Sequence, residues 1–160
     1  MAIEDTFNGA KSGLTFLNAY INTVAEAIGE KQAHALETTT CQALGTAQGM
    51  MIKEQIGIDK FDLKTSSQVL QNLIEEGFGI HSEVIEETPQ KIKINVGRCP
   101  VYESMQALGM DGKAIEASCR GGSLGFMDAV AKQLNPDLGY ELVKFRSSAD
   151  DYCEEAVVLV

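Results

Sequence analysis

Hydrophobic positions in the first half of the chain recur at helical spacing. Asp5 and Thr6 are good N-cap residues, and Phe7, Ala10, Leu14, Leu17, Ile21, Val24 and Ile28 follow three or four residues apart. Gly29 closes this segment as a C′ residue. A second helix is expected from about Glu30 to Ile56, with Leu36, Ala43, Leu44, Ala47, Met50 and Met51 on its buried side. Ala43, Gly45, Ala47 and Gly49 are small enough to let another helix approach closely. A third, shorter helix is expected to start at Ser66 or Ser67, to run through Val69, Leu70, Leu73 and Ile74, and to stop at Gly77.

At residue 80 the period changes to two. Ile80, Ser82, Val84 and Glu86 alternate with His81, Glu83, Ile85 and Glu87, and after the Thr88–Pro89–Gln90 turn Ile92, Ile94 and Val96 alternate with Lys91, Lys93 and Asn95. This predicts a hairpin in which Glu83, Glu86 or Glu87 faces Lys91 or Lys93. Pro100 suits the first position of a short helix ending at Gly109, Asp111 to Cys119 forms another, and after Gly121–Gly122 a third runs to Leu134. Asn135–Pro136 stops it. The chain closes with a second hairpin, Tyr140 to Arg146 and Tyr152 to Val160 around a Ser147–Asp151 turn. The pattern predicts an α+β fold, helices packed on a four-stranded antiparallel sheet made of two hairpins. One domain is expected over 1–160, with a helical half (1–78) and a half built from hairpin, helices and hairpin (79–160).

Composition narrows the function. With 23 acidic against 13 basic residues the net charge is −10, which opposes nucleic acid and anionic lipid alike, so neither is an expected partner. No apolar run approaches the roughly 20 residues of a membrane helix. The segment from Met1 to Phe7 carries Glu4 and Asp5 and lacks the basic and apolar regions of a signal peptide, which predicts a cytoplasmic protein. Four cysteines in that compartment are core residues or chemistry, not a disulfide framework.

Three of them stand at junctions between elements. Cys99 precedes the Pro100 helix, where unsatisfied N–H groups and the helix dipole favour a thiolate and Arg98 adds a cation; it reads equally as a small apolar residue ending a strand. Cys119 gives way to Arg120–Gly121–Gly122–Ser123, a substrate-binding candidate in which the glycines expose N–H donors and Arg120 grips a carboxylate, or else a plain helix break. Cys153 opens the last strand and shares a face with Glu155, Val157 and Leu159, the expected core face. Together Cys99, Cys119 and Cys153 suggest shared ligation of zinc or an iron–sulfur cluster, although the chain lacks a CxxC pair. Glu103, one turn after Cys99, is the candidate general base, with Tyr102 beside it; it reads equally as a surface acid near a helix N-terminus. Cys41 reads as core, and His34 and His81 as isolated, solvated or hydrogen-bonded imidazoles.

From Ile94 to Cys153 the chain resembles the L-2-amino-thiazoline-4-carboxylic acid hydrolase-like family. The resemblance rests on Cys99–Pro100, the short helix ending in Gly109, Cys119, Leu134–Asn135–Pro136 and Asp150–Asp151–Tyr152–Cys153. More distantly the chain is similar to 4-vinyl reductase domains, although Ala149 replaces the glycine usual before the last aspartates. The first resemblance implies opening of a cyclic amidine bearing a carboxylate, with Cys99, Cys119 and Cys153 as matching positions and Arg120 with Gly121–Gly122 on the carboxylate. The second implies a small-molecule sensor, often dimeric. Three functions are therefore carried forward: a small-molecule- or metal-binding domain with a three-cysteine site, an active hydrolase using a thiolate or metal-bound water, and a dimeric ligand sensor. The homodimer surface is expected on the small-residue face of the second helix and the apolar last strand.

Overall fold

The computed structural model describes residues 3–160; Met1 and Ala2, the start of the acidic N-terminal stretch, lie outside the described residues. Helices α1 (Ile3–Ile28), α2 (Glu30–Ile56) and α3 (Leu63–Phe78) come first. Strands β1 (Ser82–Glu87) and β2 (Lys91–Val96) follow, then α4 (Pro100–Ala107), α5 (Gly112–Gly121) and α6 (Ser123–Leu134), and finally β3 (Leu138–Lys144) and β4 (Cys153–Leu159). The strands form one antiparallel sheet in the order β1-β2-β4-β3, so the two expected hairpins join through β2 and β4. The α+β expectation holds.

Local chemistry explains most boundaries. Gly29, at φ 91°, separates α1 from α2 in a conformation that a residue with a Cβ rarely adopts. Asp62, not Ser66 or Ser67, caps α3: its carboxylate accepts the Thr65 N–H at 2.7 Å, and the helix begins a turn earlier than expected. Asp111 caps α5 by accepting the N–H groups of Lys113 and Ala114, both at 2.9 Å. Cys99 is the N-cap residue of α4, with Pro100 next, as the sequence predicts.

The core lies between the sheet and α3 and α6. Ile94, Leu70, Val130, Leu134, Leu138 and Val157 are all buried there. In the first hairpin Lys93 reaches Glu86 across the strands at 3.0 Å, as expected, and also approaches Glu154 at 3.6 Å. Lys91 pairs instead with Glu141 of β3, at 2.7 Å. Strand β1 is the exposed edge.

The expectation for α2 is corrected. Leu36, Leu44, Met50 and Met51, assigned to its buried side, are each at least half exposed, and Ala43 and Ala47 are exposed as well. The buried face carries Gly45, Gly49 and Ile52 and lies against α6. A Cβ at Gly45 would come within 2.3 Å of the Phe126 carbonyl oxygen, and one at Gly49 within 2.5 Å of Gln133 Cβ. Large apolar side chains form a genuine stripe on α2, but the close contact requires small residues and takes the other side of the helix. Of the small residues expected to allow close helix approach, Gly45 and Gly49 do so and are covered within the fold by α6, while Ala43 and Ala47 stay exposed.

Candidate cavity and its polar end

Between the sheet and the helices lies a cavity of about 320 Å³. Its walls come from every layer: Leu14 and Leu17 of α1, Cys41 and Leu44 of α2, Tyr102 and Met105 of α4, Leu124 and Met127 of α6, and Val96 and Leu142 of the sheet. Leu17 and Leu44 also face solvent, which puts the open side of the cavity between α1 and α2. The lining is predominantly apolar, and all four cysteines contribute to it.

Polar groups gather where β4 passes behind the cavity. Alternation turns Cys153, Glu155 and Val157 inward on β4, and Glu155 sits between Ile94 of β2 and Leu142 of β3 in the ladder. The Tyr140 hydroxyl donates to Glu155 Oε2 at 2.5 Å. Burial pushes the Glu155 carboxyl above its ordinary pKa, while the Tyr140 hydrogen bond and the Arg146 charge pull it back. Burial beside that carboxylate holds the Tyr140 phenol protonated well beyond its usual range.

Arg146, just past the end of β3, is 2% exposed and lines the same cavity. Its Nε donates to Cys153 Sγ at 3.4 Å, and its Nη2 to the carbonyls of Val96, at 3.1 Å, and Gly97. Its guanidinium lies 5.4 Å from the Tyr102 ring centre, and its buried Nη1 has no hydrogen-bond partner. Glu37 reaches the wall from α2, bonded to Ser118 Oγ at 2.9 Å and to His34 Nδ1 at 3.0 Å.

The structure brings some of the expected site residues together and separates others. Cys99, Cys119 and Cys153 all reach the cavity. Among the described residues, however, no three His, Cys, Asp or Glu side chains approach closely enough to share a metal ion, so they line it as separate thiols. Cys99 meets the N–H groups of Tyr102 and Val101 as its helix-capping position predicts, yet burial outweighs them and pushes its pKa up to about 11. Burial, reinforced by the neighbouring Cys99 and Cys153, raises Cys119 further, and burial raises Cys41 as well. These are protonated thiols at neutral pH, not thiolates.

Glu103 and Arg98 point elsewhere. Arg98 binds Glu103 at 2.6 Å and Glu4 at 3.2 Å, and Lys11 binds Glu103 at 2.8 Å, a cluster that ties α4 to α1 and holds the Glu103 carboxyl below its usual pKa. Arg120 is exposed and paired with Glu116 at 2.7 Å on α5, so it offers the cavity no charge. Gly122 and Ser123 do line the wall. Gly121 and Gly122 allow the α5–α6 junction to press on α2, since added Cβ atoms would meet Thr38 Oγ1 at 2.6 Å and Glu37 Oε1 at 2.9 Å. His81 is exposed and bonded to Glu83 at 3.2 Å.

Sequence reasoning missed Tyr140, Arg146 and Glu155 as site residues. For Glu155 a signal was present: an acid between Cys153 and Val157 on the inward face of a strand. Arg146 had no comparable mark.

An α+β domain with a largely apolar cavity, lined on its sheet side by Arg146 and by a Glu155 bonded to Tyr140, is the class that fold and site define. The chain belongs to the L-2-amino-thiazoline-4-carboxylic acid hydrolase family, whose model matches residues 10–154. No curated protein matches it. Among solved structures it is similar to the phenol-responsive sensory domain of the transcription activator PoxR with phenol, at 9% identity and TM-score 0.63 over 91% of this chain and 74% of that one. It is also similar to a trafficking protein particle complex subunit 3 from Naegleria fowleri covalently bound to palmitic acid, at 13% identity and TM-score 0.55 over 94% of this chain and 96% of that one. At these identities the likeness shows a shared fold. No helix among the described residues is long and apolar enough to cross a membrane.

Proposed function

We propose that the protein is a small-molecule-binding domain whose ligand occupies the cavity beneath α1 and α2. The observation that carries this reading is the cavity itself. About 320 Å³ of predominantly apolar, concave space with a few convergent polar groups is what ligand sites of this size provide. The polarizable thiols of Cys99, Cys119 and Cys153 then serve as part of its wall. The fold is shared with a phenol-responsive sensory domain and with a palmitate-bound subunit, which fits a ligand of mainly apolar character. The test is a thermal-shift screen with apolar and amphipathic small molecules, repeated on Cys41→Trp, whose indole would fill the cavity from α2. Ligands should stabilise the native chain and not the variant. A screen without a shift, or equal shifts in both proteins, would remove the reading.

The family match favours a second reading, hydrolytic opening of a small cyclic amidine carboxylate. Arg146 and Glu155 are the charges that such a substrate's carboxylate and amidinium would meet in the cavity. Incubation with 2-amino-thiazoline-4-carboxylate and detection of the ring-opened product tests it, and no turnover would leave the binding role alone. A dimeric sensor is favoured by another observation: Phe16 and Tyr20 of α1 and Leu36, Leu44, Met50 and Met51 of α2 are exposed large apolar side chains. Native mass spectrometry at micromolar concentration should then show a dimer, and monomer alone would refute it.

A further inference from the structure

We infer that a second copy of the chain lays its α1–α2 hairpin across this one and closes the mouth of the cavity, so that ligand binding and dimerisation strengthen each other; this rests on the cavity being the ligand site and on the chain pairing as a dimer. Leu17 of α1 and Leu44 of α2 line the cavity and are nonetheless 46% and 58% exposed, so whatever covers these two helices also covers the cavity. An apolar stripe continues outward from both residues. At 3.6 residues per turn Tyr20 stands one turn beyond Leu17, and Ala47 and Met51 stand one and two turns beyond Leu44, all of them exposed. Phe16, 79% exposed, extends the stripe on α1, and Leu36 and Met50 extend it on α2. The side of α2 that carries Gly45 and Gly49 is the one turned to α6, which leaves the stripe facing solvent.

Charge selects a second copy as the occupant. A helix side that stays in water normally carries charged residues. Residues 12–25 of α1 and 38–52 of α2 carry none, in a chain of which 22% is charged. An isologous contact sets one face against itself, and at a net charge of −10 two copies approach most readily where neither brings a carboxylate. A basic or acidic partner would find no opposite charge on this face. Area agrees. With about 100 Å² exposed on each large apolar side chain, the stripe offers roughly 800 Å² per copy, the share of a standard interface and more than the apolar patch of a typical monomer. Gly13 and Gly9, one and two turns before Leu17, are exposed, and an added Cβ would meet nothing within 4 Å at either. Glycine inside a helix destabilises it, and a second helix passing close over α1 would use the gap that the chain itself leaves open. The second copy also completes the site. A ligand under an open mouth leaves part of its surface in water, whereas pockets of this kind enclose most of it. The copy that supplies the cover tightens the ligand, and by linkage the ligand tightens the dimer.

The experiment is sedimentation velocity of the full chain with and without saturating butylbenzene, together with calorimetric titration of butylbenzene. This probe suits the space, since a cavity of about 150 Å³ holds benzene. The native chain should be a dimer at micromolar concentration, and butylbenzene should lower its dissociation constant at least about tenfold. The double variant Phe16→Glu, Met51→Glu changes two exposed residues outside the cavity wall. It should be monomeric with native circular dichroism and should bind butylbenzene about tenfold more weakly. A native monomer that binds butylbenzene would overturn the dimer and leave the cavity a ligand site; its co-sedimentation with phosphatidylcholine vesicles would assign the face to a bilayer instead. A dimer that the two glutamates leave intact has its interface elsewhere, and a dimer indifferent to bound butylbenzene does not close the cavity; either result overturns the inference. A native dimer that binds no butylbenzene would remove the coupling together with the ligand-site reading. The ligand dependence of the native dimer needs no variant, so failure of the double variant to fold would leave the test intact.

Discussion

Removing the Tyr140 hydroxyl should destabilise the protein more at alkaline than at acidic pH. Tyr140→Phe keeps the ring, which is 6% exposed, and deletes only the O–H that donates to Glu155 Oε2 at 2.5 Å. Packing is therefore nearly unchanged, and the cost is that of the hydrogen bond. Donated to a charged carboxylate such a bond contributes about 1.5–3 kcal/mol; donated to the protonated acid it contributes about 0.5–1.5. Burial raises the Glu155 pKa in the folded protein, so between the ordinary carboxylate value and the folded one the native state binds more protons than the unfolded chain. Over that window stability falls as pH rises. The Tyr140 bond opposes the shift, so its removal raises the folded pKa further and extends the fall to higher pH.

Urea unfolding of both proteins at about pH 4 and about pH 9 measures the two differences, with equal m-values as the check that neither state has changed its compactness. The variant should lose about 1 kcal/mol more at the higher pH. In a Glu155→Gln background the extra loss should vanish, because no charge remains to be stabilised. Equal destabilisation at the two pH values would refute the reasoning, since the hydroxyl would then not be serving a carboxylate that ionises.

Glu155→Gln itself should match the native stability at about pH 4 and exceed it at about pH 9, because the amide keeps the shape and never requires a charge to be buried; a less stable variant at the higher pH would contradict this. Cys99, with its pKa pushed up to about 11 from 9.0, should be alkylated by iodoacetamide at neutral pH about a hundredfold more slowly in the native protein than in urea, and equal rates would show a thiolate that burial does not suppress. Gly45→Val should cost about 1–3 kcal/mol of unfolding free energy by forcing α2 off the Phe126 carbonyl. Its control, Gly77→Ala in α3, where an added Cβ meets nothing within 4 Å, should gain up to about 1 kcal/mol from helix propensity. A tolerated valine would mean that the helix contact is loose.

Periodicity carried most of the fold because it records which side of each element is covered. The change from a period of 3.6 to 2 at residue 80 located the first hairpin, and the Asn135–Pro136 stop located the end of α6. It misled at α2 because large apolar side chains outweigh glycines in any count, while the closest helix contact in this fold needs Gly45 and Gly49. There the hydrophobic stripe marks an uncovered surface, and the covered face carries almost no side chain at all. It also missed the Asp62 cap, because Ser66 and Ser67, one turn into α3, are equally good cap residues and stand just before the Val69–Leu70 pair.

Of the candidate cavity, the sequence displays the cysteines and not their surroundings. Cys99, Cys119 and Cys153, from three separate element junctions, do line one cavity. A helix N-terminus favours an anion by about 0.3–1 kcal/mol at an ordinary site, and the expectation of a thiolate at Cys99 rests on that position. The net rise of Cys99 from 9.0 to about 11 corresponds to about 2.7 kcal/mol against its thiolate, with the helix N–H groups already acting in its favour. Desolvation wins at Cys99, and it is the largest cause of the upward shifts of Cys119 and Glu155 as well. At Glu155 the chain compensates for it in part, through the Tyr140 hydrogen bond and the Arg146 charge. The polar work of the cavity therefore falls to a carboxylate that looks misplaced on the inward face of β4 and to a guanidinium with no sequence signature. That compensation is assembled from β3, β4 and the loop after β2, and no single segment of sequence displays it.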